Sequence, residues 1–413
     1  MAGWLVPREE LTNDQARAVE LPAGRHRVLR GGPGSGKTLV LLHRARHLAD
    51  TLGVRPDRFL VLVYTNALVS FLRSAAAELG LPGEAVRTYD DWCAGHWERF
   101  VPRPKPQRAR GVPDFEAVRC GVRREVLGSR RPPLFDFVLV DEGQDLDAGV
   151  FEVLSRVSSH VTVAFDPRQR IYDGGAEEEE VLAALGLPSC SVTLLETWRS
   201  SPHVARLASR LLPLEEERES FLRQVRTSPT GRETPLLYVA RDGEDEADRL
   251  AEVARARLLR GERVAVLLPA RALVARVARD LRARGIPVEV PHRHGEKGGA
   301  FPPLDFSSDL VKVLPFHSAK GLTFDAVLLP CLAAPGHPAR SPRAFRRLLF
   351  VALTRAVSWA YLSLPAEDVD PWPAGFADTR DLVVQRWSAR PAAAPPPPAA
   401  PRSESDPGLA SWL

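Results

Sequence analysis

The stretch RVLRGGPGSGKTLVLLHRA (Arg27–Ala45) decides the fold. A short apolar run leads into Gly31-Gly-Pro-Gly-Ser-Gly-Lys-Thr38, and an amphipathic pattern over Leu39–Ala49 follows. Glycines at this spacing let successive backbone N–H groups turn inward around phosphate oxygens, and the helix N-terminus adds its positive dipole end. Lys37 then reaches the β- and γ-phosphates and the Thr38 hydroxyl can ligate Mg²⁺, so Gly34, Gly36, Lys37, Thr38 and Leu39 are expected to line a nucleoside triphosphate.

Downstream, Phe137-Val-Leu-Val ends in Asp141-Glu-Gly-Gln-Asp145. A strand delivering two acids to the carboxyl edge of a sheet suits Mg²⁺-dependent hydrolysis. Asp141, with Thr38, would hold the metal, and Glu142 would take the proton of an attacking water. A nucleoside triphosphate and Mg²⁺ are the expected cofactors.

Similar apolar runs recur at Val28–Leu29, Phe59–Tyr64, Val161–Phe165 and Val192–Leu195, then at Val264–Leu268, Val311–Leu314, Ala326–Leu329 and Trp359–Leu364. Helical patterns fall between them at Ala67–Leu79, Ala247–Leu259, Arg271–Arg284 and Phe345–Val357. Near-continuous apolar strands alternating with helices predict an α/β protein with two parallel sheets covered by helices on both faces. The series pauses over residues 196–235, placing one domain at 1–195, a second at 196–388 and a Pro/Ala-rich tail at 389–413.

The chain has 413 residues, 44% hydrophobic and 26% charged, enough for two or three ordinary cores and unlike a fibrous or wholly disordered chain. No charge-free stretch reaches the length of a membrane span and no secretory leader is visible at the N-terminus. Four separated cysteines (Cys93, Cys120, Cys190, Cys331) point to a reducing cytoplasm rather than to disulfides. The net charge, 56 − 52 = +4, identifies no partner, but only five of the 56 cations are Lys, and two of those, Lys37 and Lys320, stand inside motifs. His292 and His294 form no credible metal site, and Glu177–Glu180 reads as an exposed helix start.

The order of motifs resembles the UvrD/Rep/PcrA class of superfamily 1A helicases over nearly the whole folded chain. Leu11-Thr-Asn-Asp-Gln15 resembles the family's Q motif, which implies that Gln15 reads the adenine edge. Leu62-Val-Tyr-Thr-Asn66 and Thr88-Tyr89 are similar to motifs Ia and Ib, Asp141–Asp145 to motif II, and Asp166-Pro-Arg-Gln-Arg-Ile-Tyr172 to motif III. Glu196-Thr-Trp-Arg-Ser200 resembles motif IV, His317-Ser-Ala-Lys-Gly-Leu322 motif V, and Arg347–Arg355 motif VI. The resemblance implies two RecA-like domains and a catalytic set of Lys37, Asp141, Glu142, Gln169, Arg199 and Arg355. Gln169, Arg199 and Arg355 would sense the γ-phosphate, and Trp198 would stack on adenine. Tyr64, Thr65, Asn66, Thr88, Tyr89, His317 and Lys320 are the implied DNA contacts. ATP would sit between the domains, with arginines of one meeting phosphates held by the other; planar guanidinium groups suit this.

Several positions depart from the family. About 50 residues separate motifs Ib and II, so the usual 1B insertion is reduced to a stub near 93–132, and no 2B insertion is expected after Gly285–Val290. The stub carries ten Arg/Lys against four Asp/Glu, a composition suited to a DNA path and equally to solvated surface. Thr323 stands where relatives carry Glu, and Tyr172 is followed by Asp173-Gly-Gly instead of a stacking Trp. The expected function is an ATP-dependent DNA helicase or translocase that binds single-stranded DNA, with RNA as the other strand to test, and moves 3′→5′. The alternative is an accessory DNA-sensing ATPase beside a separate nuclease or repair partner, as in helicase-like subunits of antiphage systems such as Gabija.

Overall fold

The structure, a computed structural model, describes residues 5–108, 113–167, 175–194, 200–225, 233–291, 304–306, 308–333, 342–368 and 372–388. The first sheet contains β1 (Arg27–Gly31), β2 (Phe59–Val63), β3 (Val86–Thr88), β4 (Phe137–Val140), β5 (Val161–Phe165) and β6 (Val192–Leu194), in the order β3-β2-β4-β5-β1-β6. The second contains β7 (Leu236–Ala240), β8 (Val264–Leu268), β9 (Val288–Glu289), β10 (Val311–Pro315), β11 (Phe324–Leu329), β12 (Ala356–Pro365) and β13 (Val383–Arg386), in the order β13-β7-β12-β11-β8-β10-β9. Every neighbouring pair is parallel.

All residues of β2, β4, β5, β8 and β10 are buried, as expected of sheets covered on both faces. Around the first sheet lie α1 (Asn13–Glu20), α2 (Lys37–Leu52), α3 (Asn66–Glu78), α4 (Tyr89–Phe100), α5 (Phe115–Gly128), α6 (Ala148–Val157) and α7 (Glu178–Ala184). The second sheet carries α8 (Pro202–Ser209), α9 (Glu215–Gln224), α10 (Gly243–Leu258), α11 (Val274–Ala283) and α12 (Pro342–Leu353). The α/β class and the two covered parallel sheets are as the sequence predicts. The expected helix start at Glu177–Glu180 is also present, with Glu177 and Glu180 forming a capping box on α7.

Some local expectations fail. The helix expected over Phe345–Val357 ends at Leu353, because Ala356 begins β12, which inserts between β11 and β7. Pairing with two strands outweighs an apolar pattern that continues the helical period. The segment Arg271–Arg284 opens with a 3₁₀ turn before α11. Strands β3, β7, β9 and β13 went unpredicted; β3 and β9 are three and two residues long, too short to display a period.

One buried cation ties the front of the first domain together. Arg44 on α2 is fully buried and donates to the carbonyls of Ala18, Val19 and Leu21 at 3.2, 2.9 and 2.7 Å. It also donates to Thr162 Oγ1 at 2.9 Å and lies 3.1 Å from His160 Nε2. The end of α1 is thereby fastened to α2 and β5. Burial, with Arg27 nearby, brings the Arg44 pKa down to about 10, and burial beside Arg44 brings that of His160 down to about 3.

Two predictions follow from this cluster. Arg44→Met strands several buried carbonyls, each costing about 1–3 kcal/mol, so it should lower stability in urea melts by more than about 2 kcal/mol. His160 ordinarily titrates near 6.5 in an unfolded chain, so stability should be level above that pH and fall as pH drops from 6.5 toward about 3. His160→Gln retains an acceptor for Arg44 and should flatten this acid limb in a melting-temperature series; an unchanged limb would count against the assignment.

Candidate functional site

The loop from β1 to α2 is held by its own glycines and by α1. Gly36 has φ +79°, and a Cβ there would collide with Gln15 Nε2. Gln15 donates from that Nε2 to the Ser35 carbonyl at 3.0 Å, while its Oε1 accepts from the Thr12 N–H at 3.0 Å within a capping box. Both ends of the Gln15 amide, expected to face adenine, thus brace the glycine loop and the start of α1. Lys37 is 6% exposed and donates to the Gly31 and Gly32 carbonyls at 2.9 Å each, with Asp166 Oδ2 3.4 Å away.

The second group of residues comes from the ends of β4 and β5. Thr38 Oγ1 donates to Asp141 Oδ2 at 2.6 Å, bringing together a hydroxyl and a carboxylate from two elements. Hard oxygen donors of this kind fit Mg²⁺, which takes one or two protein oxygens and completes its shell with phosphates and water. Beside them Glu142 stands at φ 54°, a conformation uncommon for a residue with a side chain. Its Oε2 accepts from Gln144 Nε2 at 2.6 Å, and Gln144 Oε1 in turn accepts the Asp166 N–H at 2.9 Å.

Both acids are deeply buried, and their neighbours treat them differently. Burial and the adjacent Glu142 raise Asp141 to about 6, against the hydrogen bond from Thr38 and the charge of Lys37. Burial also acts to raise Glu142, but Lys320, Lys37 and Arg355 outweigh it and hold that carboxyl below its ordinary value. Burial lowers the Arg355 pKa, while Glu142, Asp166 and Asp141 act to raise it.

Arg355 follows α12 in the second domain and reaches this place from the other side. It is buried, with Nε donating to the Val351 carbonyl at 3.0 Å and Nη2 to Thr354 Oγ1 at 3.2 Å. Gly34, Gly36, Lys37, Thr38, Leu39 and Glu142 line one wall of a cleft that Gly321, Thr323 and Arg355 close from the second domain. Phe71 of α3 lines it too, a residue that its sequence context, an ordinary apolar helix, gave no reason to single out. Gln144, Asp145 and Asp166 were also missed as individual site residues, although each lies within a quoted motif.

The expected DNA contacts divide into two kinds. Tyr64 and Thr65 are half-buried and Asn66 is exposed, all beyond the carboxyl end of β2, with Thr65 capping α3 through its hydroxyl. Thr88 likewise caps α4, and His317 is half-buried, its pKa lowered by burial and by Arg271. Tyr89 and Lys320 stand elsewhere. The Tyr89 ring is 4% exposed in the first domain's core, stacked on Trp92 at 5.5 Å, and so is not a surface for stacking bases. Lys320 is 1% exposed and donates to Asp145 Oδ2 at 2.6 Å, not toward solvent. Gln169, Trp198 and Arg199 lie outside the described residues, as do His292, His294, Tyr172 and the tail 389–413.

The brace between Gln15 and Gly36 is directly testable. Gly36→Ala combines left-handed strain with the Gln15 collision and should destabilise the chain by roughly 1–3 kcal/mol in thermal melts. In a Gln15→Ala background the same substitution should cost less, since only the strain remains; equal costs would mean that the two residues do not press on one another.

Comparison with known proteins places these features in a family. Residues 11–94 match the UvrD/REP helicase N-terminal domain, and residues 310–363 match the UvrD-like helicase C-terminal domain. YjcD of Bacillus subtilis (strain 168), named as a putative ATP-dependent DNA helicase, is 38% identical over 84 residues, which are 20% of this chain and 11% of that protein. The ATP-dependent DNA helicase PcrA of Leuconostoc citreum is 41% identical over 69 residues, 17% of this chain and 9% of that protein. The chain therefore spans about a tenth of these curated relatives in the aligned stretches. A solved C-terminal domain of a possible DNA helicase from Lactobacillus (strain WCFS1) is 18% identical, with a TM-score of 0.32 over 46% of this chain and 98% of that one. The two family matches fall on the first and second sheets in turn, so in both sheets the chain is similar to UvrD/REP-type helicases.

Proposed function

We propose that the chain is an ATP- and Mg²⁺-dependent motor that binds single-stranded DNA and translocates along it 3′→5′ to unwind or remodel DNA. The observation that carries this reading is the meeting of Thr38, Asp141 and Glu142 from the first sheet with Arg355 from the second, across one cleft. The loop N–H groups and Lys37 would bind the phosphates, with Lys37 leaving the Gly31 and Gly32 carbonyls to do so. Thr38 and Asp141 would hold Mg²⁺, which when bound neutralises charge on the phosphate oxygens. Glu142 accepts the proton of the attacking water, and Arg355 stabilises the charge of the transferring group from across the cleft. Gln169, Arg199 and Trp198 are proposed partners of the γ-phosphate and the base. Because the γ-phosphate bridges the two walls, closure depends on ATP and reopens on hydrolysis, the cycle a translocating motor needs.

The strand is proposed to run past Tyr64, Thr65, Asn66, Thr88 and His317, with domain limits at 1–195 and 196–388. Among the described residues no helix is long and apolar enough to cross a membrane, and the four cysteines are free, which favours placement in the cytoplasm. A second reading is an accessory ATPase that senses DNA and works with a separate nuclease or repair protein. It is favoured by connections that are short in sequence: among the described residues α4 and α5 are the helices between β3 and β4, and residues 290–310 lie between β9 and β10. Connections this short in sequence leave little chain for added domains that could part a duplex.

The test is steady-state ATP hydrolysis by the full chain with single-stranded DNA, RNA or blunt duplex. Stimulation by single-stranded DNA is expected, and turnover indifferent to every nucleic acid would contradict the motor reading. Lys37→Ala should abolish turnover; parental hydrolysis by that variant would refute the site. Robust strand displacement by the isolated chain would weigh against the accessory reading.

A further inference from the structure

Lys320 is the one implied DNA contact that the structure carries into the hydrolytic centre. Its side chain is 1% exposed, and its Nζ lies 2.6 Å from Asp145 Oδ2 and 3.6 Å from Glu142 Oε2, whose own side chains are 0% and 4% exposed. An ammonium so enclosed cannot meet the backbone of a strand lying on the surface. Burying it this deeply is favourable only with opposite charge and good hydrogen bonds around it.

We propose that Lys320 is a positioning residue for Glu142: delivered across the cleft from the second domain, its ammonium seats the Glu142 and Asp145 carboxylates, so that the hydrolytic centre is complete only when the two domains are together. This deepens the hydrolytic reading above and rests on it.

Three observations support the assignment. Glu142 Oε2 is held from its own loop by Gln144 Nε2 at 2.6 Å and faces Lys320 on another side, so the carboxylate is fixed by one group from each domain. Glu142 also occupies a backbone conformation, φ 54°, that persists only where its surroundings over-determine it. Finally, the turn that carries Lys320 is pressed onto the first domain. The 3₁₀ turn Phe316–Ala319 follows β10 directly and packs on α3, and Gly321 has φ +79° with its Cβ direction pointing 2.9 Å from Leu68 Cδ2. Arg355 Nη1 donates to the Leu322 carbonyl at 3.4 Å, so the same turn also steadies the arginine that faces the phosphates. A turn lying next to His317, a proposed strand contact, thus reaches both the catalytic carboxylate and the arginine.

The experiment compares parent and Lys320→Met as full-length chains, measuring kcat and KM for ATP at saturating single-stranded DNA, and DNA affinity over a salt series. Positioning predicts a kcat lower by roughly a hundredfold, the lower end of what a placed base contributes. KM and DNA affinity should stay within about threefold, the signature of an interaction made chiefly in the transition state. A backbone contact predicts the reverse: weaker DNA binding with a salt slope smaller by about one, and parental kcat once DNA saturates. That result would overturn the proposal. Should Lys320→Met fail to fold, Asp145→Asn carries the test, since it removes the 2.6 Å partner while keeping the shape; kcat should again fall with DNA affinity retained, and parental kcat would overturn the proposal. A parent chain that hydrolyses no ATP would remove the underlying reading and this inference with it, whereas an active parent with equally active variants removes this inference alone.

Discussion

Two neighbouring carboxylates, Asp141 and Glu142, are buried at the end of β4, and like charges in such a place repel and lack the solvent that would screen them. Cations from both domains answer them: Lys37 from the loop after β1, and Lys320 and Arg355 from the second sheet. The arrangement makes the relation of the two domains an electrostatic matter as well as one of packing. Separating them would leave Glu142 without two of its compensating charges. The glycine loop, the Thr38–Asp141 contact and the pressed turn at Gly321 all serve to bring these charges to one cleft.

A site so built ties chemistry to geometry in a specific way. The acids, the glycine loop and the proposed metal ligands, Thr38 and Asp141, belong to one sheet edge. The arginine proposed to stabilise the transition state belongs to another. On the proposed reading, hydrolysis is fast only when both edges meet, which is the condition for coupling turnover to movement.

Much of this was legible in the sequence because it is written locally. A loop of four glycines closed by Lys37 and Thr38, and a four-residue apolar strand ending in Asp141 and Glu142, specify their geometry through neighbours in the chain. The buried strands were legible for the same reason, since a run apolar at every position suits a sheet covered on both faces. What sequence could not display were relations between distant residues. Nothing near Lys320 indicates that it ends beside Asp145, 175 positions earlier, and exposure to DNA was the simpler expectation for a lone lysine after a strand. Tyr89 follows a short strand at a motif position, yet α4 turns its ring inward against Trp92. Phe71 reads as one more core residue of α3 and becomes a cleft residue only because the second domain closes over it. The helix expected to run through Val357 shows the same limit, since β12 takes those residues for a sheet the local pattern does not reveal.

The central claim is that the hydrolytic centre is completed across the two domains. Single-turnover ATP hydrolysis by Arg355→Ala, with single-stranded DNA present and nucleotide binding measured in parallel, tests it most directly. A rate lower by roughly a thousandfold, the scale on which such an arginine acts in phosphoryl transfer, with nucleotide still bound, is the predicted result. Hydrolysis at the parental rate would mean that the first domain works alone, and the account of a shared centre would be wrong.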